Sequence, residues 1–549
     1  MRKALAGELV ALDVEMFGME KPHRADGTFA CLSIGFENGD AYQINDERDI
    51  PNALEDISDG LWVMQNALFD LRVLRRYTSV PQRYVHDTML VDMDLFGGWY
   101  ARFSLDNLVR RWLGRTMSKA VRKNFDKAIE MTPEMEHYAL EDAIATVQIA
   151  KEQLAYIYKN YDGQMPWYTD IDEPAIWAVL DMAPIKVDVA AWKAHSASLN
   201  ERAKDMQERL GFNAYSHKKV KAAVEAKLGK KIRDTNANQT LLPLLGELDP
   251  EHPAAVLIRE LMEVRGMRKA AETYGDSWLE QHIEDGEYVY PSWRVVGAET
   301  GRMACADPNM QNIPARNMPI YRSFFIASDG NVLQVADVNQ QEPWFSAFLS
   351  EDPVLMHELQ NRIDLHQVTA DLFGVERNPT GKAINLGLNY GMTEYGLSAK
   401  VGISVEAARA GIMARDRRYR QLTGWKGQRK NEARRHYKVN TVSGRPVWVN
   451  PYLEGWDRNA INAPIQGSAA DHTKLALVNL HKKCKQAGVP FAVSMIVHDE
   501  MVQDVPQTHA AIYANLLAEA WNDASAALAP GMPITVEVMQ GENWGVGKE

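Results

Sequence analysis

Apolar positions open the chain as a short run from Leu9 to Leu12, with Val14 just beyond it. From there to about residue 165, strand-like and helix-like spacings alternate, which predicts an α/β arrangement. Asp13 and Glu15 flank Val14 at the end of the first run, so strand alternation sends both carboxylates to the same side of the sheet. The polar stretch Asn160-Tyr161-Asp162-Gly163-Gln164 predicts a linker. From about 170 to 285 apolar residues recur at helical spacing between Lys- and Glu-rich faces, as in a largely helical, arm-like domain. The remainder mixes apolar strands, Val332 to Ala336 and Phe491 to Val497, with long helical stretches, the pattern of an α+β domain with a helical insertion. No internal repeat or low-complexity tract interrupts it.

Composition narrows this picture. A chain of 549 residues, 46% apolar and 24% charged, is too long for a single core, and about three domains are expected. No apolar run approaches the roughly 20 residues that span a bilayer, so a soluble protein is expected, with no membrane partner. Met1-Arg2-Lys3-Ala4-Leu5 has the charge of a signal-peptide start, but Glu8 and Asp13 break the apolar stretch, so it reads as mature sequence. Cys31, Cys305 and Cys484 lie far apart without CxxC spacing, which argues against a disulfide framework or cysteine-held zinc and for a reducing cytoplasm.

The net charge of −12 argues against indiscriminate binding to polyanions, yet the charge is unevenly distributed. From Arg415 to Lys438, ten of twenty-four positions are Arg or Lys. A second basic stretch runs Lys218, Lys219, Lys221, Lys227, Lys230, Lys231, Arg233. Both could follow a phosphate backbone, or be solvated helix faces.

The acidic residues carry the chemistry. Asp70 follows Asn66 by four residues, and Tyr138 and Asp142 share one helix face, with Thr132-Pro133-Glu134 as a good helix start. Four converging carboxylates repel unless cations neutralise them, and two divalent ions about 4 Å apart are the usual arrangement for phosphodiester chemistry. In this order, D-x-E, N-x-x-x-D and Y-x-x-x-D resemble the three motifs of the DnaQ-type 3′-to-5′ exonucleases. The resemblance implies a ribonuclease-H-like fold. It also implies that Asp13, Glu15, Asp70 and Asp142 hold two Mg2+ or Mn2+ ions while Tyr138 orients the attacking water.

A second set lies in the last half. Asp337 closes the Val332 to Ala336 strand, and His498-Asp499-Glu500 sits between two apolar runs like a hairpin tip. Lys382, Leu386 and Tyr390 fall at i, i+4 and i+8, along one helical stripe. An ammonium for phosphate, an apolar group beside a sugar and a ring near a base suit a nucleoside triphosphate. Asp337-Val338-Asn339-Gln340-Gln341-Glu342, the Lys382 segment and His498-Asp499-Glu500 resemble motifs A, B and C of the family A DNA polymerases. Thr300-Gly301-Arg302, the segment from Asp307 to Pro314, and the segment from Arg458 to Asp471 extend the match.

That resemblance implies a right-hand α+β polymerase of palm, fingers and thumb after the nuclease. The expected parts are the nuclease at 1–165, a thumb at 166–290, palm at 291–350, fingers at 351–455 and palm again at 456–549. Asp337 and Asp499 would hold two metal ions, supported by Glu500. Lys382 and His366 would hold the triphosphate, Tyr390 would guard the template-base position, and Glu342 would act as a steric gate against a ribose 2′-hydroxyl. Arg302, Arg458, Asn462, Gln466 and His498 would contact primer, template or minor groove. Primer-template DNA and deoxynucleoside triphosphates are the expected partners of a monomer, with any accessory proteins unspecified. Two departures stand out. Asn378 occupies a position that is usually Arg, with Arg377 beside it as a substitute, and Leu386 stands where Phe or Tyr is usual. The length leaves no room for a 5′-nuclease domain, so a phage-type replicative polymerase is expected. The rivals are a single-subunit RNA polymerase, which would lack Glu342 and the nuclease cluster, and an exonuclease carrying a silent DNA-binding module.

Overall fold

The computed structural model describes residues 8–118, 120–315, 318–532 and 534–546, apart from the side chain at 238. The chain divides into two compact units. One comprises Met1–Ala183, Pro291–Asn312 and Asn331–Gln540, and the other Pro184–Tyr290, Ile313–Gly330 and Gly541–Glu549.

In the first unit a five-stranded sheet is built from β1 (Leu9–Phe17), β2 (Thr28–Phe36), β3 (Ala41–Ile44), β4 (Leu61–Met64) and β5 (Val85–Asp87), in the order β3-β2-β1-β4-β5. β2 is antiparallel to β1 and β3, whereas β4 is parallel to β1 and β5. The unbroken apolar start of β1 is explained by its central place, buried on both faces. Asp13 and Glu15 lie inside this strand rather than at its end, because β1 continues to Phe17.

The long helix Pro133–Tyr161 covers the sheet. Thr132 caps it, its hydroxyl accepting from the Met135 N–H at 3.3 Å, and Pro133 fills the first turn, where its missing N–H costs nothing. Ala143, Val147, Ala150 and Leu154 pack on Leu9, Ala11, Leu61 and Val63. The helix crosses β2 so closely that a Cβ at Gly35 would lie 2.9 Å from the Ala143 carbonyl carbon, so only glycine permits the approach that brings Asp142 over β1. The expected linker at residues 160–164 is instead a tight turn. The helix runs to Tyr161, Asp162 and Gly163 take left-handed conformations, and Met165, Trp167 and Tyr168 are buried immediately afterwards.

The same unit contains a four-stranded sheet in the order Val493–Val497, Glu500–Pro506, Asn331–Val338, Val536–Gly541. The helices Trp456–Ala487 and Ala510–Leu528 pack together beside it.

Arg445 joins the part built on the five-stranded sheet to this second part. Its guanidinium is buried among Asp94, Asp172 and Asp471, at 2.7 Å from Asp172 and 2.8 Å from Asp471, and Lys474 pairs with Asp172. Three carboxylates thus face two cations. Burial raises Asp94 well above the carboxylate range; burial also opposes ionisation of Asp172, but Arg445 and Lys474 hold it down, and the two carboxyls share a hydrogen bond. A protonated Asp94 donating to Asp172 leaves the cluster neutral, which a dry interior requires.

The second unit is mainly helical, as its apolar spacing predicts, with helices Val189–Leu210, His217–Leu228, Pro253–Thr273 and Asp276–His282 beside a small three-stranded sheet. Trp192 is fully buried, stacked on Trp278 with centroids 4.5 Å apart. Among the described residues no helix is long and apolar enough to cross a membrane. Cys31, Cys305 and Cys484 are free and buried.

Candidate active sites

β1 and the Pro133–Tyr161 helix bring Asp13, Glu15 and Asp142 together, with one carboxylate oxygen of each within 4.8 Å of the others. Tyr138, one turn before Asp142, is buried and hydrogen-bonded to it. Asp70 stands outside this three-way cluster. It is buried on the helix Ala67–Leu74, and its Oδ1 accepts from the Val14 N–H at 3.0 Å, between the two β1 carboxylates.

Burial pushes Asp13 up to about 8, with repulsion from Glu15 adding to it, and Glu15 up to about 8, with repulsion from Asp142 adding. Burial raises Asp70 as well, followed by the charge of Asp13. Arg122, which opens the short helix Arg122–Phe125, opposes the shifts of Asp13 and Glu15; sequence reasoning missed it, because a single arginine carries no signal of what it will face. Asp13 Oδ2 and Asp70 Oδ2 are buried without a hydrogen-bond partner among the described residues. Buried and half-buried, mutually repelling carboxylates with unsatisfied oxygens fit divalent cations, which would reverse the repulsion and supply the missing partner.

The second cluster arises from strand register. Asp337 pairs directly with Glu500, and the Val338 N–H donates to the Asp499 carbonyl at 3.3 Å, so all three acidic residues meet at one end of a strand pair. Glu500 is buried, Asp337 and Asp499 half-buried. His498 makes the hairpin turn with φ 60° and stays exposed, as the expected tip would.

Around this end lie the other candidates. Glu342, near the start of the helix Gln341–Ser350, is ion-paired with Arg302, and the Tyr390 hydroxyl hydrogen-bonds it. Burial and then the Glu342 charge push Tyr390 up to about 12. The expected Lys382-Leu386-Tyr390 stripe is shorter than the spacing implied. The helix runs Lys382–Asn389, and Tyr390 is its cap, at φ −92° and ψ 15°. Gly391, at φ 76°, follows with Arg458 Cγ 3.1 Å from where a Cβ would stand, and Asn462 donates to the Tyr390 carbonyl at 3.3 Å. Arg458, Asn462 and Gln466 come from successive turns of the helix Trp456–Ala487. Leu386 and Lys382 are half-buried.

Arg377 stands in the wide turn before Lys382, where Asn378 is extended, and is ion-paired with Asp364. Asp364 caps the helix Leu365–Phe373 by accepting from the His366 N–H at 2.9 Å, so Arg377 is held beside His366. Asn385, which sequence reasoning also missed, lies with its Nδ2 3.0 Å from His366 Nδ1 and couples the two helices.

Residues 188–546 match the family model for DNA polymerase family A, and residues 1–154 match that for a 3′-5′ exonuclease. DNA polymerase I of Pseudomonas aeruginosa is 29% identical over 526 residues, covering 88% of this chain and 56% of that protein. The thermostable DNA polymerase I of Thermus aquaticus is 29% identical over 443 residues, 74% of this chain and 52% of that one. DNA polymerase I of Aquifex aeolicus is 26% identical over 552 residues, 92% and 91% respectively. The chain thus spans about half the length of the Pseudomonas and Thermus relatives. The fold matches the POL domain of Pol1 from M. smegmatis, solved in complex with DNA primer-template and dNTP, with a TM-score of 0.81 at 23% identity, covering 99% of this chain and 97% of that one.

Proposed function

The chain belongs to DNA polymerase family A and carries a 3′-5′ exonuclease region, and from that premise we propose that it copies a DNA template from deoxynucleoside triphosphates and hydrolyses mispaired 3′ ends at a separate site. The observation that carries this reading is the pair of distinct carboxylate clusters in one unit, Asp13-Glu15-Asp142 with Asp70 beside it, and Asp337-Asp499-Glu500.

Mg2+ or Mn2+ ions, two at each site, would be held by Asp13, Glu15, Asp70 and Asp142 in one and by Asp337 and Asp499 in the other; bound there, they supply activation of the attacking oxygen and neutralisation of phosphate charge. In synthesis the primer 3′-hydroxyl loses its proton and bonds to the α-phosphorus while the bond to pyrophosphate breaks. Lys382 stabilises the charge that grows on the leaving group, while His366 and Arg377 help bind the triphosphate. Glu500 supports the carboxylates opposite it. Glu342, fixed by Arg302 and Tyr390, fills the space of a ribose 2′-hydroxyl. Leu386 packs at the sugar, and Arg458, Asn462, Gln466 and His498 contact primer and template without reading sequence. At the nuclease cluster, Tyr138 orients the water that attacks the terminal phosphodiester.

Hydrolytic editing beside synthesis has a physical rationale, since contacts alone discriminate weakly between similar substrates. Glu342 and the nuclease cluster argue against a single-subunit RNA polymerase. Free, buried cysteines suit a reducing cytoplasm, and we take the working form to be a monomer. A replicative role goes with this reading, and the Aquifex relative of matching span is bacterial.

Primer extension with Mg2+, with and without nucleotides, tests the reading. Asp499→Ala should abolish extension and leave 3′ degradation, Asp13→Ala should do the reverse, and a chelator should stop both. Loss of neither activity in either variant would overturn it.

A further inference from the structure

Besides the two carboxylate clusters, the first unit exposes a row of aromatic rings edged by cations. Gly97 and Gly98 follow the helix Thr88–Phe96, and there the nuclease part meets the hairpin formed by Lys438–Asn440 and Pro446–Trp448. The Trp448 N–H donates to the Gly97 carbonyl at 2.9 Å and its indole to the Leu95 carbonyl at 2.7 Å. This close approach sets Trp99 edge-on to Trp448, centroids 5.1 Å apart, and to Tyr437 at 6.2 Å; Tyr437 in turn meets Tyr452 at 6.4 Å. Rings that served packing alone would be covered, yet Trp99 is 48% exposed and Tyr452 83%, with Leu453 beside it at 64%.

The cations belong to the basic run singled out by its composition. Tyr437 ends the helix Arg420–His436, whose last turn exposes Arg434, Arg435 and His436. Arg434 lies over the Trp456 ring at 4.9 Å and Lys438 over Trp448 at 5.5 Å. The nearby acids are largely spoken for, Glu432 by Arg429 at 2.8 Å and Asp457 by Lys430 at 3.2 Å, which leaves Glu454 on the rim. Arg434 and Arg435 make no ion pair with a described residue. In a chain of net charge −12, this is a locally cationic surface with free ring faces.

We propose that this surface binds single-stranded DNA, with bases stacked on Trp99 and Tyr452 and phosphates lying along Arg434, Arg435 and Lys438. A duplex keeps its base faces stacked internally and offers only phosphate, whereas an unpaired strand offers both partners this surface lacks. Stacking on a ring face is tolerant of sequence, as a strand passing through a general polymerase demands. The inference rests on the reading of the protein as a DNA enzyme but not on which active site uses the strand. A 5′ template overhang and a melted 3′ primer end present the same chemistry.

Fluorescence anisotropy in a chelator, so that the probe is not degraded, tests it with a blunt duplex and with primer-templates bearing a 5′ or a 3′ unpaired tail of about 16 nucleotides. Trp99→Ala combined with Tyr452→Ala should weaken binding of one tailed probe about thirtyfold or more and leave the blunt duplex unchanged; the tail affected identifies the strand. Tyr452→Phe should retain wild-type affinity. Arg434→Ala combined with Arg435→Ala should flatten the dependence of log Kd on log salt by about 1.4 for two lost single-strand phosphate contacts. Tailed probes bound equally by wild type and both double variants would overturn the proposal and leave the surface to a protein partner, and an equal loss on the blunt duplex would overturn it as well. Wild-type protein that bound no DNA at all would instead sink the polymerase reading beneath it.

Discussion

Arg302 is ion-paired to Glu342, and both side chains are only partly exposed, at 37% and 24%. With the Tyr390 hydroxyl on the same carboxylate, Glu342 is fixed in place rather than free to swing toward solvent. A side chain so held can exclude a group by occupancy. Glu342→Ala should lower the preference for deoxynucleotides over ribonucleotides about tenfold or more, through a higher kcat/KM for the ribonucleotide. Tyr390→Phe, which removes one of two restraints, should lower it less. Single-nucleotide incorporation kinetics measure both, and an unchanged ratio in Glu342→Ala would remove the gate.

Arg377 lies outside the Lys382–Asn389 helix but is held beside His366 through Asp364. Its removal should raise KM for nucleotides about tenfold, the value of one charge-assisted contact, with kcat little changed. A KM equal to wild type would return the role to Lys382 and His366 alone.

Leu386 is half-buried on the same helix. An aromatic ring there would pack on the incoming sugar, so Leu386→Tyr should increase use of 2′,3′-dideoxynucleotides in competition with their normal counterparts. Equal termination frequencies in the two proteins would contradict the placement of this residue at the sugar.

In the buried cluster around Arg445, protonation of Asp94 makes the charges balance. Asp94→Asn keeps a donor for Asp172 and an acceptor for Arg445, so it should alter the unfolding free energy by less than about 1 kcal/mol. Asp471→Asn leaves a buried positive charge uncompensated and should cost about 3–5 kcal/mol. Urea unfolding of the two variants compares them directly. Similar losses in both would mean that Asp94 is ionised.

His86 and His472 are buried and neutral. His86 Nε2 faces Gln153 Oε1 at 2.9 Å, and His472 Nδ1 accepts from Gln341 while Nε2 faces Ser525. Burial depresses each from 6.5 to about 4. The unfolded chain therefore binds protons that the folded chain refuses. Stability from these groups is complete above pH 6.5 and is lost as pH falls toward 4, at about 1.4 kcal/mol per pH unit for each histidine. His472→Gln should flatten the decline by that amount across this window. A slope equal to wild type would mean that His472 titrates normally in the fold.

Much of this is legible in the sequence. D-x-E in a strand and Y-x-x-x-D on a helix state which side chains share a face, because local geometry follows from the backbone period. Where reading failed, tertiary context intervened. Asp162 and Gly163 look like a linker because polar and glycine residues mark turns and linkers alike, and only the burial of Met165 and Trp167 separates the two. Tyr390 continues the i+4 spacing, but the left-handed Gly391 packed against Arg458 ends the helix before it.

By itself, then, the sequence determined the elements, the two acidic sets and the polymerase family, since these depend on residue type and spacing along one chain. Tertiary structure decided which groups meet across long intervals: Asp142 over β1 through Gly35, Glu342 in the grip of Arg302, Arg445 among three distant aspartates, and Trp99 against Tyr437. The reason is physical. Such contacts are set by how packed elements cross and by what burial does to a charge, and neither quantity is a property of neighbouring residues.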